Sequence, residues 1–120
     1  MQLVRWTRER GNGMAGAEWH FQVQPPGEIG RTLVPDVAFL SYKRLPRSEM
    51  EETEVPRIAP DMVVEVQSLS DQRCDIEEKV RVYLASGTDV VFLVNPLTRT
   101  VTIRDRKGTR DLSESETLER

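Results

Sequence analysis

Asp36, Glu65 and Lys79 have side-chain types and spacings that suit chemistry on a phosphate ester. Glu65 stands between valines in Asp61-Met62-Val63-Val64-Glu65-Val66-Gln67, where the β-branched content predicts a central strand. An ionised carboxyl in such a strand is costly unless it is paired, hydrogen-bonded or holding a metal. Asp36 is a second acid inside an apolar run, LVPDVAFL, on a separate strand able to lie beside the first. Two acids on neighbouring strands can grip a hard cation, and Mg²⁺, or Mn²⁺ in its place, needs only one or two carboxylates plus waters and a substrate phosphate. A lysine nearby would orient the attacking water or offset charge on the phosphoryl oxygens. The plainer readings are an Arg or Lys paired with Glu65, and a boundary lysine paired with Asp75 four residues before it.

These residues need elements to position them. Strand alternation puts Asp61, Val63, Glu65 and Gln67 on one face and Met62, Val64 and Val66 on the other. After that strand, Ser68 to Asp71 carries helix-capping chemistry. Ile76, Val80, Tyr83 and Leu84 then recur with helical spacing until Gly87 supplies the C-cap, which predicts an amphipathic helix near 71–86. Lys79 borders its apolar stripe, eight residues from Asp71 and roughly 12 Å along the axis, so an antiparallel helix can bring its amine level with Glu65. The apolar run VVFLV, residues 90–94, predicts a strand covered on both faces and closes a βαβ unit.

The remaining elements frame that unit. WHFQVQ alternates over 19–24, with Trp19, Phe21 and Val23 on one face, and Pro25-Pro26-Gly27 stops it. The strand predicted over 33–41 follows closely enough for an antiparallel hairpin, with Pro35 suited to an edge or bulge. Residues 43–58 are charged and carry two prolines, so a loop is expected there, with at most a helical turn over 48–52. Residues 100–104 alternate as a further antiparallel strand, and Lys107-Gly108 turns the chain after it. The first 18 residues show no period and read as an irregular arm, residues 19–112 as one domain, and 113–120 as an exposed acidic tail. The sum is α/β, a mixed sheet with one well-defined helix.

Composition removes other classes. A chain of 120 residues has room for one core. No apolar run approaches the roughly 20 residues of a membrane helix, and MQLVRWTRERG lacks the apolar segment of a secretory signal, so cytoplasmic residence is expected. Cys74 is alone and builds neither a disulfide nor a zinc cage. A net charge of −3 argues against binding nucleic acid through bulk basicity, although Arg5, Arg8 and Arg10 cluster, as do Arg104, Arg106, Lys107 and Arg110. His20 lies on the polar face of its strand and reads as a surface residue.

As a set, VPDVAFL at 34–40, APDMVVEVQSLSD at 59–71 and DIEEKVRVYLASGTDVVFLVNPLTRTV at 75–101 resemble the Uma2 family of restriction-endonuclease-like proteins, within the PD-(D/E)xK nuclease superfamily. The resemblance implies a restriction-endonuclease-like sheet and Mg²⁺-dependent hydrolysis of DNA phosphodiester bonds, with Asp36 and Glu65 as metal ligands and Lys79 as the catalytic amine. Gln67 stands where the superfamily has its lysine, and the helix lysine, here Lys79, is thought to compensate. Asp61 matches a family aspartate and is a secondary metal or structural candidate. Family members usually begin with a further helical segment that includes an acid, and nothing before Trp19 resembles it. The chain is therefore expected to be shortened, with a sheet face that a second copy, as a homodimer, would cover. The other functional expectation is a catalytically silent nuclease-fold domain that binds nucleic acid or a protein.

Overall fold

The computed structural model describes residues 6–9 and 11–113 of the chain. Its centre is the predicted βαβ unit. β6 (Met62–Val66) and β7 (Val90–Asn95) pair in parallel, with Glu65 beside Leu93, and α2 (Arg73–Ser86) connects them. The mixed sheet is completed by β1 (Trp6–Glu9), β2 (Gly13–Ala17), β5 (Val37–Ser41), β8 (Thr100–Asp105) and β9 (Gly108–Ser113), in the order β1-β2-β5-β6-β7-β8-β9. All its pairings except β6–β7 are antiparallel. β3 (Phe21–Val23) and β4 (Arg31–Leu33) form a separate two-stranded sheet, and α1 is a short helix over Arg47–Glu52.

Alternation in the central strands supplies a core to each sheet face. Val63, Val91 and Leu93 pack against Val80 and Tyr83 of α2. The same side continues to Ala38 and Leu40 under Trp19, Phe21, Val23, Met50 and Val82. Val90, Phe92 and Ile103 are buried on the opposite face with Met62, Val64, Val101 and Leu112 around them. The expectation that β7 is covered on both faces is met.

Several expectations need correction. The segment read as an irregular arm contains β1 and β2, and β2 extends the sheet from Gly13↔Ser41 to Ala17↔Val37. Gly13 leaves room for Phe39 there: a Cβ on Gly13 would lie 2.4 Å from the Phe39 ring. Residues 1–5 and 10 of that segment lie outside the described residues.

The strand predicted over 33–41 is two strands separated by Val34-Pro35-Asp36. Proline cannot donate to a ladder, so β4 turns to β3 in the register Phe21↔Leu33 while β5 enters the main sheet. Asp36 therefore precedes β5 and is exposed. The helix begins at Arg73, not Asp71, because the Asp71 carboxylate instead accepts the Ser68 amide hydrogen at 2.8 Å and closes a turn. Gly87 caps the C-terminus in the left-handed conformation, φ 118°, as expected. The acidic tail loses its first residue, Ser113, to β9; residues 114–120 lie outside the described residues.

Candidate active site

The register carries the site. Val37 pairs with Val64, so one step outward Asp36 stands across from Glu65, and residues opposite one another in an antiparallel pair project to the same face. The Asp36 carboxylate reaches over the strand end and accepts the Val66 amide hydrogen with Oδ2 at 2.7 Å. On the helix side, Lys79 Nζ lies 3.0 Å from Glu65 Oε2, and the Tyr83 hydroxyl donates to that same oxygen at 3.2 Å. Both donors use Oε2. Among the described residues nothing bonds Glu65 Oε1 or Asp36 Oδ1, which leaves one oxygen of each acid available.

Burial sets the electrostatics. The Glu65 side chain is 14% exposed and that of Lys79 41%, so the lysine stem is covered while its amine meets solvent. Desolvation pushes the Glu65 carboxyl above the usual carboxylate range; the Lys79 ammonium pulls it back and the Asp36 charge adds to the push. The Tyr83 phenol is driven far upward by burial and by Glu65, so it remains a hydrogen donor. Beside these groups opens a cavity of about 150 Å³, lined among others by Glu65, Gln67, Asp75, Lys79 and Tyr83.

The structure thus brings Glu65 and Lys79 into contact, with Asp36 opposite, immediately ahead of the neighbouring strand β5. Lys79 pairs with Glu65, not with Asp75 as the plainer reading had it. Gln67 lines the cavity, as its place on the Glu65 face requires, while its backbone N–H donates to the Val94 carbonyl at 2.8 Å. Asp61 is engaged elsewhere: Oδ1 accepts the Ser41 amide hydrogen at 2.7 Å and Oδ2 meets Arg44 Nε at 3.2 Å. Neither Asp61 nor His20 lines the cavity, and Cys74 is exposed with its thiol 3.9 Å from Asp75 Oδ1.

In the sequence Tyr83 shows only as part of the apolar stripe. Its signal was present, since it lies one helical turn beyond Lys79 and so on the same side, but its hydroxyl partner is 18 residues away in sequence.

Asp36 and Glu65 offer hard carboxylate oxygens, each with one oxygen free of protein partners, which matches the sparse protein ligation that Mg²⁺ accepts. No group of three or more His, Cys, Asp or Glu side chains gathers in ligating geometry among the described residues. The residues present fit a cation held largely by water and substrate.

A mixed sheet with a βαβ core, bearing an acid on a central strand, a second acid across from it and a helix lysine, defines a restriction-endonuclease-like α/β domain. The chain belongs to the Uma2 family, whose model, described as "Putative restriction endonuclease", matches residues 1–120. Among solved structures, it is similar to one titled a "putative nuclease belonging to DUF820" from Anabaena variabilis ATCC 29413. The TM-score is 0.73 and the identity 25%, over 88% of this chain and 57% of that one. The chain thus spans little more than half the length of that relative. No curated protein matches it. No helix among the described residues is long and apolar enough to cross a membrane.

Proposed function

We propose that this domain is a divalent-metal-dependent endonuclease that hydrolyses DNA phosphodiester bonds. The observation that carries this reading is the contact of Lys79 Nζ with Glu65 at 3.0 Å beside an open cavity, with Asp36 across from Glu65. Asp36 Oδ1 and Glu65 Oε1 would hold Mg²⁺. When bound, that ion supplies a Lewis acid for the phosphoryl oxygen and lowers the pKa of a coordinated water.

The chain's own groups do the rest. Tyr83 and Lys79 fix Oε2 of Glu65, so its other oxygen keeps one direction. Lys79 is only partly buried, which lets its ammonium turn from Glu65 to a phosphate oxygen and offset the charge that grows there. Val66 N–H holds Asp36 in place through Oδ2. Gln67, on the cavity wall, offers a neutral hydrogen bond where a cation would otherwise stand. We also propose cytoplasmic residence and a homodimer, the latter to be checked by sedimentation of the purified chain.

Purified protein with Mg²⁺ or Mn²⁺ is expected to nick plasmid DNA, and Asp36→Ala, Glu65→Ala and Lys79→Ala are each expected to abolish nicking. Activity that survives all three changes would come from a contaminant and overturn the reading. A silent nucleic-acid- or protein-binding domain is the second reading, favoured by the neutral Gln67 and by the absence of a three-acid cluster among the described residues. Mn²⁺ titration separates the two, because saturable binding that is lost in Glu65→Gln contradicts the silent reading.

A further inference from the structure

Among the described residues three acids line the cavity beside Lys79: Glu65, Asp71 and Asp75. Glu65 holds the ammonium at 3.0 Å, and Asp71 is committed through Oδ2 to the Ser68 amide hydrogen at 2.8 Å. Asp75 has no such commitment. Its carboxylate meets the Cys74 thiol, 3.9 Å from Oδ1, which is a weak donor, and Oδ2 bonds nothing among the described residues. It stands in the first turn of α2, four residues before Lys79 and on the same cavity wall. An acid four residues N-terminal to a lysine is the favoured order for a helical ion pair, and the helix dipole keeps a first-turn carboxylate ionised. Local spacing therefore favours a contact that the structure does not make.

Competition explains why. Glu65 is 14% exposed, whereas Asp75 is open to solvent, and a partly desolvated carboxylate attracts an ammonium more strongly than a hydrated one. Glu65 therefore wins Lys79 while its charge is unopposed. With that charge neutralised by a divalent cation on Oε1, the balance reverses, because the ammonium then sits beside a like charge. Tyr83, a neutral donor, keeps its place on Oε2. The Lys79 stem is half-exposed and free to swing, and Asp75 lies about 5–6 Å away between Cβ atoms in helical geometry.

We infer that Asp75 is the second resting place of Lys79. When Glu65 takes up a divalent cation, the ammonium moves back along α2 to the Asp75 carboxylate, where it stays on the cavity wall within reach of an entering phosphate oxygen. Asp75 is thus a positioning residue that acts through Lys79. The inference rests on the metal-dependent reading for what displaces the lysine, but the second resting place itself requires only that Glu65 lose its negative charge.

Two experiments test it. In crystals grown with Mn²⁺, Lys79 Nζ is expected within the ~4 Å of a salt bridge from Asp75 and away from Glu65 Oε2. With Mn²⁺ bound at Glu65 and the ammonium anywhere else, the inference is overturned. The second experiment needs no metal. In the Glu65→Gln chain Lys79 has lost its charged partner, so adding Asp75→Asn should lower the melting temperature by about 2 °C more than it does in the parent, the size of one helical ion pair. Asp75→Glu should show no such excess, and Lys79→Met should abolish it. An equal effect of Asp75→Asn in both backgrounds overturns the inference, since a dipole or packing role would not depend on Glu65. A chain that shows the excess but takes up no Mn²⁺ defeats the metal-dependent reading and leaves the second resting place standing, whereas Mn²⁺ bound at Glu65 with Lys79 unmoved does the reverse.

Discussion

Tyr83 and Lys79 share one oxygen of Glu65, and this makes the hydroxyl of a core tyrosine part of the site. Tyr83→Phe keeps the buried ring and removes only the donor. We expect the fold to persist and Mn²⁺ affinity to fall about tenfold, within the ~10–100-fold loss typical when a ligand's supporting hydrogen bond is removed; isothermal titration measures it, and unchanged affinity would remove Tyr83 from the site. Asp61 is assigned the contrasting role of a structural acid. It joins the Ser41 amide to Arg44, which also bonds the carbonyls of Ala59 and Pro60 and meets Asp89 at 3.1 Å. Asp61→Ala should therefore cost about 1–3 kcal/mol in urea unfolding and leave Mn²⁺ affinity untouched. A loss of metal binding with stability intact would make Asp61 a ligand after all.

At the scale of elements, the site depends on β5 holding its place between β2 and β6, because that register puts Asp36 across from Glu65. β2 holds β5 by close approach at Gly13, where a Cβ would meet the Phe39 ring at 2.4 Å and the Leu40 carbonyl oxygen at 2.6 Å. A ring can turn aside, but a strand carbonyl moves only with its strand. Gly13→Ala is expected to destabilise by about 1–3 kcal/mol, the usual cost of overpacking, with a matching fall in melting temperature; a variant as stable as the parent would show that β2 is free to shift. The α2 helix has a complementary duty. Val80, Val82 and Tyr83 anchor it in the core, which sets Lys79 at the boundary and gives its amine both cover and reach.

At the scale of the whole molecule, exposed arginine–carboxylate pairs link α2 to its neighbours. Arg81 meets Glu28 at 2.9 Å and Glu78 at 2.8 Å, which ties the β3–β4 connection to the helix. On the other side, Arg104 holds Glu77 and Arg106 reaches Asp89. Hydrogen bonding from Arg81 lowers the Glu28 carboxyl from 4.5 and holds that of Glu78 at about 2. A carboxylate whose pKa drops on folding binds fewer protons folded than unfolded, so its contribution is present above 4.5 and is lost as pH falls towards about 2. Arg81→Ala should melt below the parent at neutral pH, with the gap closing through that acidic window and shrinking in high salt, since these pairs are solvent-exposed. A gap independent of pH would mean that Arg81 acts through packing alone.

Much of this protein was legible in residue order because it is governed by local periodicity. β-Branched content marked β6, the fully apolar run marked β7, and Ile76, Val80 and Tyr83 ending at Gly87 marked α2; an acid set among valines singled out Glu65, and helix geometry placed Lys79 level with it. Strands β1, β2 and β9, towards the two ends of the sheet, carry no such pattern, since glycine, small and charged residues there become strands through hydrogen bonds shared with neighbouring strands. Proline split the strand at 33–41, yet only the choice of partner decided that β4 would leave for β3 while β5 stayed beside β6. Tertiary structure alone also gave Asp61 to Arg44 and the Tyr83 hydroxyl to Glu65. Those contacts join residues far apart in the chain, and no period of 2 or 3.6 encodes which distant side chain will meet another once two elements pack.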